Sequence, residues 1–110
     1  MARFVKGDVV VIPFPFSDLT GSKRRPALVL TELSGNDILL CQITSQPSGD
    51  MFALSLTATD FITGGLPVDS FIRPLRIFTA DKNIIVRTAG SITSELMKKA
   101  IDAIIFTLKQ

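Results

Sequence analysis

The sequence predicts a mainly β chain with one C-terminal α-helix. Short apolar and β-branched runs, separated by clusters of Gly, Pro, Ser and Asn, recur from residue 9 to residue 79, which is typical of strands and turns. Only the segment that starts at Thr93 or Ser94 has the spacing of an amphipathic helix. A length of 110 residues, 46% of them hydrophobic, indicates one domain of ordinary size spanning residues 1–110.

The strands can be assigned in order along the chain. Residues 9–12 form a β-branched run that ends at Pro13, because proline cannot donate to a sheet ladder. Residues 27–31 and 38–44 flank turn-forming residues, so these two strands are expected to pair as a hairpin. The later candidates are residues 52–56, 70–73 and 76–79. Five or six short strands with one closing helix predict a barrel or a curled sheet.

The helix is predicted from its cap and its periodicity. Thr93 or Ser94 is a suitable N-cap, and Glu95 falls in the first turn. The apolar residues with i, i+3, i+4 spacing are Met97, Ala100, Ile101, Ile104, Ile105 and Leu108. Phe106 falls on the opposite, polar face, where either a neighbouring loop covers it or a second chain contacts it.

The composition excludes several kinds of chemistry. The chain has no His and a single Cys, Cys41, so a disulfide within the chain, a four-ligand Cys/His zinc site and imidazole acid–base catalysis are all excluded. Cys41 lies in an apolar strand and is expected in the core. The carboxylates are dispersed without metal-ligand spacing, so no metal and no cofactor is expected. The net charge of +2 does not discriminate between partners.

Nothing in the sequence predicts export or membrane insertion. The first eight residues carry charges where a signal peptide has its apolar segment. The longest uncharged apolar stretch near them, residues 9–16, is far shorter than the roughly 20 residues that span a bilayer. We therefore expect a soluble, cytoplasmic protein with no membrane partner.

The residues most suited to binding an anion precede the second strand. Lys23, Arg24 and Arg25 form the densest positive cluster, and Pro26 restricts Arg25 to an extended conformation. A guanidinium matches phosphate bidentately, although such a cluster can also be a solvated edge. Thr44 ends the third strand, where its hydroxyl can cap a turn or donate to a phosphate. The residues that could extend a basic surface are Arg73, Arg76, Lys82 and Arg87.

Several of these segments together resemble the MazF/PemK family of toxins from toxin–antitoxin modules. They are residues 7–10 (Gly-Asp-Val-Val), 23–30 (Lys-Arg-Arg-Pro-Ala-Leu-Val-Leu) and 43–46 (Ile-Thr-Ser-Gln). Residues 70–73 (Ser-Phe-Ile-Arg), Gly90 and the terminal helix also match in order and spacing, so the resemblance covers nearly the whole chain.

The resemblance implies a fold, an activity and partners. The fold is an SH3-like barrel of the CcdB/MazF/PemK toxin type with a C-terminal helix. The activity is sequence-selective cleavage of single-stranded RNA by attack of the ribose 2′-hydroxyl, without a metal ion. The implied partners are single-stranded RNA, a second copy of the chain in a homodimer, and a cognate antitoxin that neutralises the toxin.

The resemblance also implies roles for individual residues. Arg25 and Thr44 are the implied active-site pair, and Arg73 corresponds to a third catalytic residue in some members. Those members have an Asp two residues later and a His in the first long loop, whereas this chain has Leu75 and no His. The residues expected to bind RNA are Lys23, Arg24, Ser45 and Gln46, with Phe14 and Phe16 as stacking surfaces. The possible general bases are Asp18 and Asp69.

Two other functions remain open at this stage. Toxins of the CcdB type share the barrel but act by binding DNA gyrase, so the fold alone does not decide the function. The second alternative is a family member that folds and dimerises but has lost its activity. The missing His and Leu75 favour these alternatives, whereas Arg25 and Thr44 favour the nuclease.

Overall fold

Within residues 3–14, 23–47 and 49–110, which the computed structural model describes, seven strands form one antiparallel sheet in the order β4-β6-β3-β2-β1-β7-β5. The strands are β1 (Asp8–Phe14), β2 (Lys23–Glu32), β3 (Asp37–Thr44), β4 (Leu54–Leu56), β5 (Phe61–Gly64), β6 (Ser70–Asp81) and β7 (Arg87–Ile92). Two short 3-10 turns lie at Ala58–Asp60 and Lys82–Ile84, and helix α1 (Ser94–Leu108) follows β7. No helix in the described ranges is long and apolar enough to cross a membrane.

The predicted class is confirmed. The sheet curls into a half-barrel with β4 and β5 at its two edges, and α1 packs against it. β2 and β3 pair as the expected hairpin. β1 lies between β2 and β7, so a strand from the start of the fold is joined to a strand from near its end.

Two parts of the sheet differ from the prediction. The candidate strands at 70–73 and 76–79 are one strand, β6, which runs through Pro74. The pairing of β6 with β3 is irregular there, passing from Ile77 opposite Cys41 to Arg73 opposite Gln42, so Pro74 falls where the ladder is already interrupted. β5 and β7 were not predicted, because their glycines have the composition of turns.

The core has two parts, because β1 and β2 send alternate side chains to opposite faces of the sheet. Val9 and Leu28 belong to a buried cluster that includes Leu96 and Ala100 of α1. Their neighbours along the strands belong to a second cluster, formed by Phe4, Val10, Ile12, Ala27, Val29, Ile38 and Leu40. Both faces of the central strands are therefore covered, which holds the backbone of β1 and β2 rigid.

The helix begins where its sequence predicts, but its buried face is formed by Leu96, Met97 and Ala100, whereas Ile105 and Leu108 of the predicted apolar face are exposed. The Thr93 hydroxyl accepts a hydrogen bond from the Leu96 N–H at 3.3 Å, which makes Thr93 the N-cap. Phe106 contacts Phe52 in the loop between β3 and β4, with ring centroids 6.5 Å apart, although 60% of its surface stays exposed. A neighbouring loop therefore contacts Phe106 on one side, and contact of its exposed surface with a second chain stays a prediction.

Cys41 is fully buried in β3, as expected for a core residue. Burial raises the pKa of its thiol to about 12, because the thiolate would be desolvated. We therefore expect a thiol reagent at about pH 8 to label the native protein very slowly and the urea-unfolded protein rapidly. Rapid labelling of the native protein would show that β3 opens readily to solvent.

Candidate active site

A cleft with a volume of about 380 Å³ lies where β2 begins and β3 ends. Its lining combines arginines, hydroxyls and apolar side chains, namely Val11, Arg24, Arg25, Pro26, Ile43, Thr44, Ser45, Leu66, Pro67, Val68, Ser70, Val86 and Arg87. Among the described residues that line the cleft, three are arginines and none is a carboxylate. The cleft therefore favours an anion.

The hairpin of β2 and β3 explains why the predicted residues meet. Ala27 lies opposite Gln42 in the last antiparallel pair at this end of the hairpin, so Arg25 and Thr44 each lie two residues beyond it, and both line the cleft. Pro26 lies between these positions and has no N–H to donate, so the regular ladder ends there. The start of β2 and the end of β3 thus line the cleft, and they contribute Arg25 and Thr44 to it.

The third arginine comes from the far side of β1. Val11 of β1 lies opposite Pro26 in β2 and opposite Arg87 in β7. Arg87 therefore lies on one side of Val11, and Arg25, the neighbour of Pro26, lies on the other. The sequence indicated Arg87 only as a possible extension of a basic surface, because the pairing of β1 with β7 is not visible in any local pattern.

Thr44 has a hydroxyl suited to donation. Its Oγ1 accepts a hydrogen bond from the Gln46 N–H at 3.1 Å, which forms a tight turn at the end of β3. A hydroxyl that accepts through one lone pair still carries its own hydrogen. Thr44 therefore has the turn-capping role and also lines the cleft, while donation to a phosphate stays a prediction.

The loop between β5 and β6 supplies three apolar residues of the lining, 66–68, which no local sequence pattern indicated. At one end the Gly65 N–H donates to the Ala89 carbonyl at 3.1 Å. At the other end the Ser70 hydroxyl, only 3% exposed, donates to the Val68 carbonyl at 3.1 Å. Both ends of the loop are thus fixed, so the apolar lining is held in place.

Other predicted site residues do not line the cleft. Lys23 and Gln46 are exposed beside it, and Asp69 is exposed on the loop between Val68 and Ser70. The residues that fall outside the described part of the chain are Phe16, Asp18 and the side chain of Phe14. Their predicted roles in stacking and proton transfer stay predictions.

Arg73 has a different environment from Arg25. It does not line the cleft, and its Nε donates to Asp50 Oδ2 at 3.2 Å. A hydrogen bond from the Phe52 N–H holds the pKa of Asp50 below its ordinary value, and Arg73 lowers it further, while burial opposes both. Among the described residues, no group of three or more Asp, Glu, Cys or His side chains could hold a metal ion.

Comparison with solved structures supports the fold at low sequence identity. The MazE–MazF complex from Deinococcus radiodurans contains a chain with a TM-score of 0.79 and 19% identity, covering 99% of both chains. MazF alone from the same organism gives a TM-score of 0.78 at 19% identity over the full length of both chains. An endoribonuclease in complex with its cognate antitoxin from a mycobacterial species gives 0.72 at 17% identity, covering 99% of this chain and 96% of the other.

Sequence comparison assigns the family. No curated protein is close enough in sequence to count as a relative. The profile of the PemK-like, MazF-like toxins of type II toxin–antitoxin systems, however, matches residues 5–108. This span includes every strand and all of α1. The chain therefore belongs to the PemK-like, MazF-like toxin family.

Proposed function

We propose that this protein is a toxin that cleaves single-stranded RNA with sequence selectivity and without a metal ion. The observation that carries the proposal is the cleft, in which Arg24, Arg25 and Arg87 share the lining with Thr44 and no carboxylate is among the described lining residues. A phosphodiester of RNA has the charge and the acceptor oxygens that this lining binds. The alternative of a gyrase-binding module does not require such a set of donors.

The mechanism follows from what these groups can stabilise. The ribose 2′-oxygen loses its proton and attacks the adjacent phosphorus, the bond from phosphorus to the 5′-oxygen breaks, and the 5′-oxygen takes a proton from solvent. The products therefore carry a 2′,3′-cyclic phosphate and a 5′-hydroxyl. Negative charge on the phosphoryl oxygens grows in the transition state. Arg25 neutralises that charge and Thr44 donates a second hydrogen bond, so both stabilise the transition state more than the ground state.

The proton of the 2′-hydroxyl needs an acceptor. Arg25 cannot be that acceptor, because a guanidinium stays protonated at any physiological pH. We propose that solvent or a carboxylate, Asp18 or Asp69, accepts the proton. Asp69 lies on the loop that lines the cleft, although its own side chain is not part of the lining. If neither Asp18→Asn nor Asp69→Asn slows cleavage, the carboxylate assignment fails.

The partners of the toxin are proposed with its activity. Similar structures include MazF bound to MazE and an endoribonuclease bound to its cognate antitoxin, and we extend both kinds of complex to this chain. We also propose a homodimer of this domain, since Ile105, Phe106 and Leu108 leave an exposed apolar end on α1. The cytoplasm is the proposed compartment, because the RNA substrate is found there.

Cleavage in the presence of a chelator tests the proposal. Purified protein is incubated with a long single-stranded RNA in EDTA, and the fragment ends are mapped chemically. We expect cleavage at a short recurring sequence that leaves cyclic phosphate and 5′-hydroxyl ends. No cleavage by the wild-type protein, or cleavage that EDTA abolishes, would contradict the proposed function.

A further inference from the structure

The loop between β3 and β4, of which residues 45–47 and 49–53 are described, starts at the cleft and is fixed at Asp50. Asp50 Oδ2 accepts from Arg73 Nε at 3.2 Å, and Asp50 Oδ1 accepts from the Phe52 N–H at 2.9 Å. The Asp50 carbonyl also accepts from the Ala53 N–H at 3.2 Å. We call this set of contacts the Asp50–Arg73 clamp. It joins a loop that begins at Ser45 to a side chain of the neighbouring strand β6.

The clamp involves β6, which carries Arg73 and pairs with β3, the strand that ends at Thr44. In the register of β3 with β6, Gln42 lies opposite Arg73 and Thr44 lies opposite Phe71. β6 therefore supports Thr44 at the start of the loop and, through Arg73, holds Asp50 near its end. The contact of Phe52 with Phe106 fixes the same part of the loop to α1.

The clamp is better shielded than an ordinary surface ion pair. The Arg73 and Asp50 side chains are 23% and 12% exposed, whereas those of Lys98 and Asp102 on α1 are 77% and 56% exposed. An exposed pair contributes little, because water and salt screen it. A partly buried carboxylate that also accepts a backbone hydrogen bond is held in one geometry, and the bond from the Phe52 N–H together with Arg73 lowers the pKa of Asp50.

We propose that Arg73 is a positioning residue, which holds the loop through Asp50 and thereby fixes Thr44, Ser45 and Gln46 beside the bound RNA. Arg73 then serves the reaction without touching the substrate. This inference rests on the proposed nuclease function, because it assigns the loop a role in RNA cleavage. It differs from the role that the family resemblance implies for Arg73, in which the guanidinium takes part in the chemistry.

A double-mutant cycle tests the inference through kcat/KM on a short single-stranded RNA. We expect Arg73→Ala and Asp50→Asn each to lower kcat/KM by about ten- to hundredfold, because a misplaced site residue costs about this much. The double variant should be no worse than either single variant, because both remove the same interaction. Asp50→Asn keeps an acceptor for the Phe52 N–H and removes the negative charge that Arg73 faces. Arg73→Lys keeps the charge and should restore part of the rate.

The matched control is Asp102→Asn, which breaks the exposed pair on α1 and should leave kcat/KM unchanged. If Arg73→Ala loses far more activity than Asp50→Asn, and loses it equally in the Asp50→Asn background, then Arg73 contacts the RNA and the inference is overturned. The inference is also overturned if Asp50→Asn keeps full activity while Arg73→Ala, with an equal melting temperature, loses it.

Limited proteolysis separates this inference from the proposed function. Chymotrypsin cleaves after Phe and Met, and Met51 and Phe52 follow the clamp directly. We expect faster cleavage at this loop in Arg73→Ala and Asp50→Asn than in the wild type or Asp102→Asn. Unchanged proteolysis would overturn the clamp even if RNA is cleaved. A wild-type protein that cleaves no RNA would instead overturn the proposed function, and with it the role of the loop in catalysis.

Discussion

Replacing Arg25 with alanine is expected to lower the rate of RNA cleavage by about 10²–10³-fold, equivalent to about 3–4 kcal/mol of activation barrier. Arg25 lines the cleft with Thr44, and the role proposed for its guanidinium is to neutralise the charge that grows on the phosphoryl oxygens. The measurement is the single-turnover cleavage rate at saturating enzyme, which isolates the chemical step from RNA binding.

Two variants control this result. Arg25→Lys keeps the charge but loses the planar pair of donors, so its rate should fall between those of the wild type and Arg25→Ala. Arg3→Ala removes the same group from an exposed residue that does not line the cleft and should have no effect. Equal cleavage by the wild type and Arg25→Ala would mean that the activity belongs to another site or to a contaminant.

Replacing Gly64 with alanine is expected to destabilise the protein by about 3 kcal/mol or more, because two penalties add. Gly64 has a φ of 66°, in the left-handed region that disfavours a side chain. A Cβ on Gly64 would also overlap the Ala89 carbonyl and lie 2.7 Å from the Gly90 Cα, where β5 crosses close to β7. Urea denaturation followed by circular dichroism measures the loss.

Gly35 provides a matched control for Gly64. It has a similar φ of 69°, but a Cβ built there meets nothing within 4 Å. Gly35→Ala should therefore cost only the backbone penalty of about 1–2 kcal/mol. If the two variants were equally destabilised, the close approach of β5 to β7 would contribute nothing to the stability of the fold.

The elements that could be predicted are those whose signals are local. Thr93 and the apolar spacing after it define α1, and the turn before β3 defines the hairpin. β5 and β7 could not be found this way, because glycine in a sequence pattern usually indicates a turn. Gly64 and Gly90 instead allow the backbones of these two strands to approach closely. The sequence predicts two strands on either side of Pro74 where the structure has one, because the bulge that accommodates this proline depends on the pairing with β3.

The same distinction applies to the site. Arg25 and Thr44 could be predicted together, because both lie in the motifs that carry the family resemblance, and the hairpin of β2 and β3 brings both to the cleft. Arg87 depends on the pairing of β7 with β1, and Arg73 is turned toward Asp50 from 23 residues away. Such contacts link distant parts of the chain, and a single sequence contains no pattern that specifies them.

The position of β1 between β2 and β7 has a consequence for how the toxin is made. Arg24, Arg25 and Thr44 can come together as soon as the early hairpin has been synthesised, but Arg87 reaches Val11 only when β7 leaves the ribosome. Pairings between distant segments form late in folding. A nascent chain therefore carries two of its cleft arginines without the third, so the cleft is completed only after most of the chain has been translated.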